Sequence, residues 1–296
     1  MNILKIACLN MFKDTREVQI LVLSLFLLLG VFTRDWTLRP LVVGVAIVSC
    51  LGVQWLGQRV QVGLARDQSG DPSSGELSTG VLAYPALSLP FNWRSPLITG
   101  LGLSLLLRVD HWAYMVLAAT IAIGSKFLLQ IHHKHIFNPA NLGIIACLIL
   151  TPGAWISPGQ WGEEGWYALL FICAGGLVLQ RIGRWDTSIA FLGTYAALET
   201  ARSLWLGWTW DVTYHRLISG SLLIFAFFMV TDPRSIPDRP TARFIWACCL
   251  ALLTFILRNQ FYLSTAPFWA LFFLAPLSPV LDALWPSDRF EWRMEN

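Results

Sequence analysis

Ten apolar runs follow one another along this 296-residue chain, separated by short stretches with charge, Gly or Pro. A bilayer core about 30 Å thick requires roughly 20 apolar residues per helix. Only 13% of the residues are charged, and a soluble domain has roughly 25%. The runs therefore predict an all-α integral membrane protein with about ten transmembrane helices. They lie at residues 18–33, 39–58, 96–107, 112–131, 139–151, 165–180, 186–206, 216–231, 241–258 and 266–284.

Three of the runs are short. Those that begin at Pro96, Pro139 and, less clearly, Arg216 predict half-crossing or broken helices. Membranes tolerate such helices only where protein buries their ends or water reaches them.

The distribution of basic residues predicts the orientation, because cytoplasmic connections carry an excess of Lys and Arg. Ten crossings place both termini on one side, and fifteen of the 21 Lys and Arg residues then fall in the inner segments. We expect cytoplasmic N- and C-termini in a bacterial cytoplasmic (inner) membrane. The polar stretch 59–94 contains QSGDPSSGE and predicts a flexible cytoplasmic loop.

An internal repeat divides the chain. LITGLGLSLLL from Leu97 has a counterpart in LISGSLLIFAFF from Leu217, and in both halves a full-length helix and a Pro-led short helix follow. Five crossings per unit is an odd number, which predicts two inverted five-helix repeats with a site near the bilayer midplane. The alternative is chance recurrence of Leu, Gly and Pro. The predicted segments are a cytoplasmic N-terminal segment 1–17, a first repeat 18–151, an outer linker 152–164, a second repeat 165–284 and a cytoplasmic tail 285–296.

The candidate binding residues lie at the ends of these helices. Asn138 can cap a helix that starts at Pro139, and a buried start would face an anionic or carbonyl-bearing ligand. An ordinary cap at the membrane surface is the alternative, and for Asp232 it is an ordinary cytoplasmic turn. The predicted ligand- or cofactor-binding residues are Thr99, Gly100, Phe137, Asn138, Pro139, Asn141, Ser219, Gly220, Thr231 and Asp232.

Other chemistry has little support in the sequence. The His132–His135 stretch has no carboxylate or thiolate nearby to complete a metal set, so we predict a basic anchor for lipid phosphates there. Glu199 and Arg202 are three residues apart and predict an interfacial ion pair. Scattered basic residues argue against nucleic acid as a partner. No catalytic residue and no metal site is predicted, and enzymatic activity stays open.

Six segments in order carry a resemblance to a known family. They are SPLITGLGLSLLL from Ser95, IAIGSKFLL, HIFNPANLGII, WDTSIAFLG, LISGSLLIFAFFMVTDP and SPVLDAL. Together they resemble the membrane family that contains RnfD of the Rnf-type electron transport complex and NqrB of the sodium-translocating NADH:quinone oxidoreductase. The chain is also similar to a divergent branch of RnfD-related proteins that accompany enediyne biosynthesis genes.

The resemblance implies a ten-helix fold similar to that of urea transporters, with flavin cofactors and electron transfer coupled to ion movement beside other membrane subunits. Family members attach FMN to the threonine of an S-x-A-T motif, and this sequence contains none. We therefore expect a non-covalent flavin (FMN or riboflavin) or a quinone, and no covalent FMN. The alternative function is a channel or transporter for a small solute on a urea-transporter-like scaffold.

Overall fold

The computed structural model describes residues 14–34, 39–68, 91–132, 134–156 and 165–290. The chain is mostly helical, and each predicted apolar run is occupied by helix. The first half contains α1 (Thr15–Arg34), α2 (Pro40–Gln68), α3 (Arg94–Leu106), α4 (Trp112–Leu128) and α5 (Pro139–Leu150). The second half contains α6 (Gly165–Ile182), α7 (Trp185–Leu206), α8 (Trp210–Ile218), α9 (Gly220–Ile224) with the π-helical turn Phe225–Met229, α10 (Pro240–Asn259), α11 (Ala266–Leu274) and α12 (Leu277–Leu284).

The lengths of these helices support a multi-pass membrane protein. Within the described ranges, α1, α2, α6 and α10 are long and apolar enough to cross a bilayer. Two bent pairs, α8 with α9 at 48° and α11 with α12 at 44°, raise that number to six if each pair is one span. The 13 residues of α3 reach only about 20 Å at 1.5 Å per residue, short of a full crossing. Ten crossings and cytoplasmic termini stay predictions.

Two small β-ladders depart from the all-α prediction. Strand β1 (Leu107–Val109) pairs antiparallel with β4 (Ala154–Ile156), and β2 (Gln130–Ile131) pairs with β3 (Lys134–His135) in a hairpin. The β1–β4 ladder joins the ends of α3 and α5, where the chain leaves both short helices. It thereby satisfies backbone groups that would otherwise be buried without partners. Segments of two or three residues carry too little alternation for a sequence pattern to reveal them.

Two segment boundaries also differ from the prediction. Helix α2 continues to Gln68, so the predicted loop 59–94 begins as helix. Residues 59–68 contain no Pro, and their Gln and Arg residues favour helix. Helix α1 begins at Thr15, inside the predicted segment 1–17. The rest of the N-terminal segment, residues 69–90 and most of the outer linker lie outside the described residues.

Contacts between the two halves create the setting of the candidate site. Phe26 of α1 meets Phe171 of α6 and Phe228 of the π-helical turn edge-on, with ring centroids 4.7 and 5.7 Å apart. On the other side, the Asn141 Nδ2 of α5 donates to the Phe268 carbonyl of α11 at 3.1 Å. Aromatic packing and a buried hydrogen bond therefore hold the first half against the second.

Candidate functional site

A cavity of about 120 Å³ lies between the two halves. Its wall takes residues from α1, from α3 and α4, from the start of α5 and from the π-helical turn with the segment that follows it. Five of the ten predicted residues share this wall although they come from distant parts of the sequence. They are Thr99, Asn138, Pro139, Thr231 and Asp232.

Asn138 connects the start of α5 to the second half. Its Oδ1 accepts from the Asn141 backbone N–H at 3.0 Å, which confirms the predicted N-cap. Its Nδ2 donates to the Met229 carbonyl at 3.2 Å and to Asp232 Oδ2 at 3.4 Å. Both Asn138 and Pro139 are buried. The helix start is thus an interior one, and its positive end faces protein and cavity rather than the membrane surface.

The π-helical turn places the second-half residues. Val230 N–H bonds to the Phe225 carbonyl at 3.0 Å, and this wider turn ends next to Thr231 and Asp232. Thr231 Oγ1 donates to the Phe227 carbonyl at 2.7 Å, and Asp232 Oδ1 accepts from the Arg234 backbone N–H at 3.2 Å. Single π-helical turns occur frequently at functional sites. The Asp232 segment is therefore a turn on the cavity wall.

Lys126 and His135 also line the cavity, although neither is among the ten residues predicted to bind a ligand. Lys126 is buried, and its Nζ donates to Ser95 Oγ at 3.0 Å and to Thr99 Oγ1 at 3.1 Å. A lysine in the last turn of an apolar helix could have identified it, because ionisable residues at depth are functional candidates.

His135 lies in the hairpin between α4 and α5, outside the helices. Burial, together with the nearby Arg234 and Lys126 charges, lowers its pKa to about 3. Its Nδ1 is buried and has no hydrogen-bond partner within the described part of the chain.

The predicted lipid anchor at the hairpin is wrong for Lys134 and His135. Lys134 Nζ forms ion pairs with Asp238 at 3.1 Å and Asp282 at 2.5 Å instead of facing lipid phosphates. Both carboxylates come from the second half, so their proximity is a tertiary effect that a local basic pattern does not reveal. His133 lies outside the described residues.

The other five predicted residues lie away from the cavity wall. Gly100 packs against the α2 backbone, since an added Cβ would lie 3.2 Å from Ile47 Cα. The Phe137 ring stacks on Phe272, with centroids 5.3 Å apart. Asn141 bonds to α11, and Ser219 and Gly220 form the bend between α8 and α9.

The predicted Glu199–Arg202 pair is also wrong. Glu199 is fully buried and accepts from Arg216 Nη1 of α8 at 2.7 Å and from Asn259 Nδ2 of α10 at 3.0 Å. Arg202 instead lies over the Trp208 ring, 4.6 Å from its centroid. The break between α8 and α9 places Arg216 next to Glu199. Glu199 therefore pairs with Arg216 and not with Arg202, which is three residues away in the sequence.

Comparison with known proteins finds one matching family model and several relatives that share a name. Residues 156–291 match the model of the NQR2, RnfD, RnfE family. The D subunit of the ion-translocating oxidoreductase complex of Haemophilus influenzae (strain PittEE) is 32% identical over 98 residues, which cover 32% of this chain and 27% of that protein. Its counterpart of the same name in Vibrio vulnificus (strain YJ016) is 34% identical over 97 residues, 32% of this chain and 27% of that protein. The matched stretch spans less than a third of either relative.

Proposed function

We propose that the protein, whose residues 156–291 match the model of the NQR2, RnfD, RnfE family, is a membrane electron-transport subunit that holds a flavin or quinone non-covalently between its two halves. Its relatives are named as subunits of an ion-translocating oxidoreductase complex. By extension, the proposal includes other membrane subunits as partners and coupling of electron transfer to ion movement.

The meeting of the two motif segments at one cavity carries the proposal. Asn138 from FNPA and Asp232 from VTDP lie within hydrogen-bond distance and line the same wall. A flavin ring edge and a quinone both present carbonyl oxygens, and a flavin also presents an N–H. The start of α5 supplies an N–H donor, and the Asp232 carboxylate, which has more acceptor sites than its two hydrogen bonds use, supplies an acceptor. When bound, such a group supplies one- and two-electron transfer, and the protein supplies its position and electrostatics.

The packing of helices within each half supports an inverted repeat as part of this proposal. In the first half α1 packs on α3, α2 on α4 and α4 on α5. In the second half α6 packs on α9, α7 on α10 and α10 on α11, in the same order. In inverted-repeat proteins the ligand lies where the short helices of the two halves meet. The cavity lies between α3, α5 and the π-helical turn that follows α9.

The absorbance spectrum and the extracted small molecules of the full chain, purified in mild detergent, test the proposal. We expect a flavin or quinone chromophore, either co-purified or bound on addition of FMN, riboflavin or ubiquinone. Asn138→Ala and Asp232→Asn should each weaken binding about tenfold, because the first removes a polar side chain from the wall and the second replaces a charged acceptor by an amide. Asp211→Asn makes the same change as Asp232→Asn at an exposed position of α8. This variant should bind the flavin or quinone as tightly as the wild type does.

Two results would contradict the proposal. One is a wild-type protein that neither carries nor binds any flavin or quinone. The other is equal binding by all three variants and the wild type, which would move the ligand away from this cavity.

A channel or transporter for a small solute is the second candidate function. The absence of an S-x-A-T motif favours it, because the family's covalent electron carrier has no attachment residue in this sequence. Proteoliposomes that pass urea, ammonia or riboflavin faster than protein-free liposomes would support it. Flux that persists without any chromophore would favour it over electron transport.

A further inference from the structure

We infer that the cavity takes a ligand bearing an oxyanion, such as a phosphate ester, and that Lys126 holds the anionic group. The inference rests on the proposed function, because it specifies the charge of the ligand in the same site. It predicts that a phosphorylated flavin binds better than its neutral counterpart.

The hydrogen bonds of Lys126 leave its ammonium group without a carboxylate in contact, although the Asp232 charge acts on it from beyond ion-pair distance. An ammonium group has three N–H donors, and two of them go to the neutral hydroxyls of Ser95 and Thr99. No carboxylate among the described residues lies within ion-pair distance of Lys126 Nζ, although the residue is only 7% exposed. Buried charges in proteins are normally paired, because an ion loses much of its hydration on burial.

The single carboxylate of the described cavity wall does not fill this role. Asp232 lines the cavity, but its Oδ2 accepts from Asn138 and its Oδ1 from the Arg234 backbone. The other titratable groups on the wall are Arg16, Arg234 and His135, none of which is an anion. The buried start of α5 adds the positive end of a 12-residue helix. The wall thus combines an ammonium group that has no ion-paired carboxylate among the described residues with two arginines and the positive end of a helix.

A bound oxyanion would supply the missing counterion. It would accept the third N–H of Lys126 and form the charge-assisted hydrogen bond that the protein does not provide. Two sources offer this chemistry beside a membrane, a phosphorylated flavin and a phospholipid headgroup. The same hydroxyl pair of Ser95 and Thr99 orients the ammonium for either one.

Binding of four probes to the full chain in a neutral maltoside detergent tests the inference. The probes are FMN, riboflavin, inorganic pyrophosphate and dihexanoyl-phosphatidylglycerol. We expect FMN to bind at least about tenfold more tightly than riboflavin, as one charge-assisted hydrogen bond would give. Lys126→Met should abolish this preference, because Met matches the length of Lys without its charge.

Two further variants control for general effects. Lys126→Arg retains the charge and should retain the preference for FMN, even if the buried site tolerates the larger group poorly. Lys134→Met removes a lysine whose partners are Asp238 and Asp282, and it should leave the preference intact. If FMN and riboflavin bind equally but phosphatidylglycerol or pyrophosphate binds in a Lys126-dependent way, the anion site stands and its natural occupant is a lipid headgroup.

The failures of the two proposals are distinguishable. Equal binding of FMN and riboflavin without Lys126-dependent anion binding overturns the oxyanion inference and leaves the flavin site in place. An FMN preference that survives Lys126→Met overturns it too. Lys126-dependent binding of pyrophosphate without any flavin binding supports the anion site and contradicts the flavin form of the proposed function. If no probe binds, the oxyanion inference and the flavin form of the proposed function are both overturned.

Discussion

Glu199 carries a charge into the interior of the helical bundle, and its partners come from two other helices. Arg216 and Asn259 occupy its two carboxylate oxygens, at 2.7 and 3.0 Å. The Arg216 side chain is 25% exposed, so only the carboxylate end of the pair is fully buried. The interaction therefore holds α8 and α10 against α7, and its loss should lower the stability of the whole chain.

Glu199→Ala should lower the free energy of unfolding by roughly 2–3 kcal/mol, somewhat less than the ~3–5 kcal/mol of a fully buried broken pair because Arg216 reaches solvent. Thermal unfolding in detergent measures the loss. Glu199→Gln keeps an acceptor for Asn259 and should cost less than the alanine variant. Equal stability of Glu199→Ala and the wild type would mean that the pair is only incidental.

The buried His135 should make the free energy of unfolding depend on pH. Its pKa is lowered from 6.5 to about 3 by burial, with Arg234 and Lys126 as further causes. Between these values the unfolded chain binds a proton that the folded chain does not. The stabilisation is therefore present above pH 6.5 and is lost as the pH falls toward 3, at up to about 1.4 kcal/mol per pH unit.

His135→Gln removes this titration and should flatten the dependence of the melting temperature on pH between 6.5 and 5. The comparison with the wild type cancels the carboxylates that titrate in both proteins. Parallel pH profiles for the two proteins would show that His135 accepts its proton without unfolding the chain.

At the level of elements, a close approach between α4 and α5 sets the position of the cavity's capped helix. A Cβ at Gly143 of α5 would lie 2.5 Å from the Ala118 carbonyl oxygen and 2.9 Å from Ala122 Cβ. Gly143→Ala must therefore push the two helices apart. We expect a loss of about 1–3 kcal/mol from overpacking, measured by thermal unfolding.

Gly124→Ala is the matched control, because a Cβ there meets no atom within 4 Å. Alanine is the better helix former by roughly 1 kcal/mol, so this variant should be neutral or more stable. If both variants behave alike, helix propensity rather than contact decides the outcome. If Gly143→Ala also weakens FMN binding, the position of α5 matters for the site.

The helices were predictable here because each occupies a run of consecutive apolar residues, a signal that tertiary packing does not alter. The N-cap at Asn138 was predictable for the same reason, since it depends on neighbours three residues away. The roles of Lys126 and Lys134 were not, because their partners are fixed by packing between distant elements. The short ladder of β1 and β4 likewise exists only because the ends of α3 and α5 lie side by side.

At the scale of the whole molecule, three kinds of contact join the two halves. Aromatic edges join α1 to α6, and the Asn141–Phe268 hydrogen bond joins α5 to α11. An ion-pair cluster joins the β2–β3 hairpin to the second half through Lys134, Asp238 and Asp282. Asp282 also accepts from the Asp238 backbone N–H at 2.8 Å. The cavity lies between halves that are held by all three.

The ion-pair cluster should couple the two halves energetically. Lys134 and Asp282 are 15% and 22% exposed, so water screens their attraction only in part. A double-mutant cycle of Lys134→Met and Asp282→Asn should give a coupling energy of about 1–2 kcal/mol, within the range for residues in contact. Lys134→Met combined with the exposed Asp211→Asn should instead be additive to within about 0.5 kcal/mol. Additivity of the Lys134 and Asp282 variants would mean that the hairpin docks on the second half through its backbone, where His135 N–H bonds to the Arg234 carbonyl at 3.1 Å.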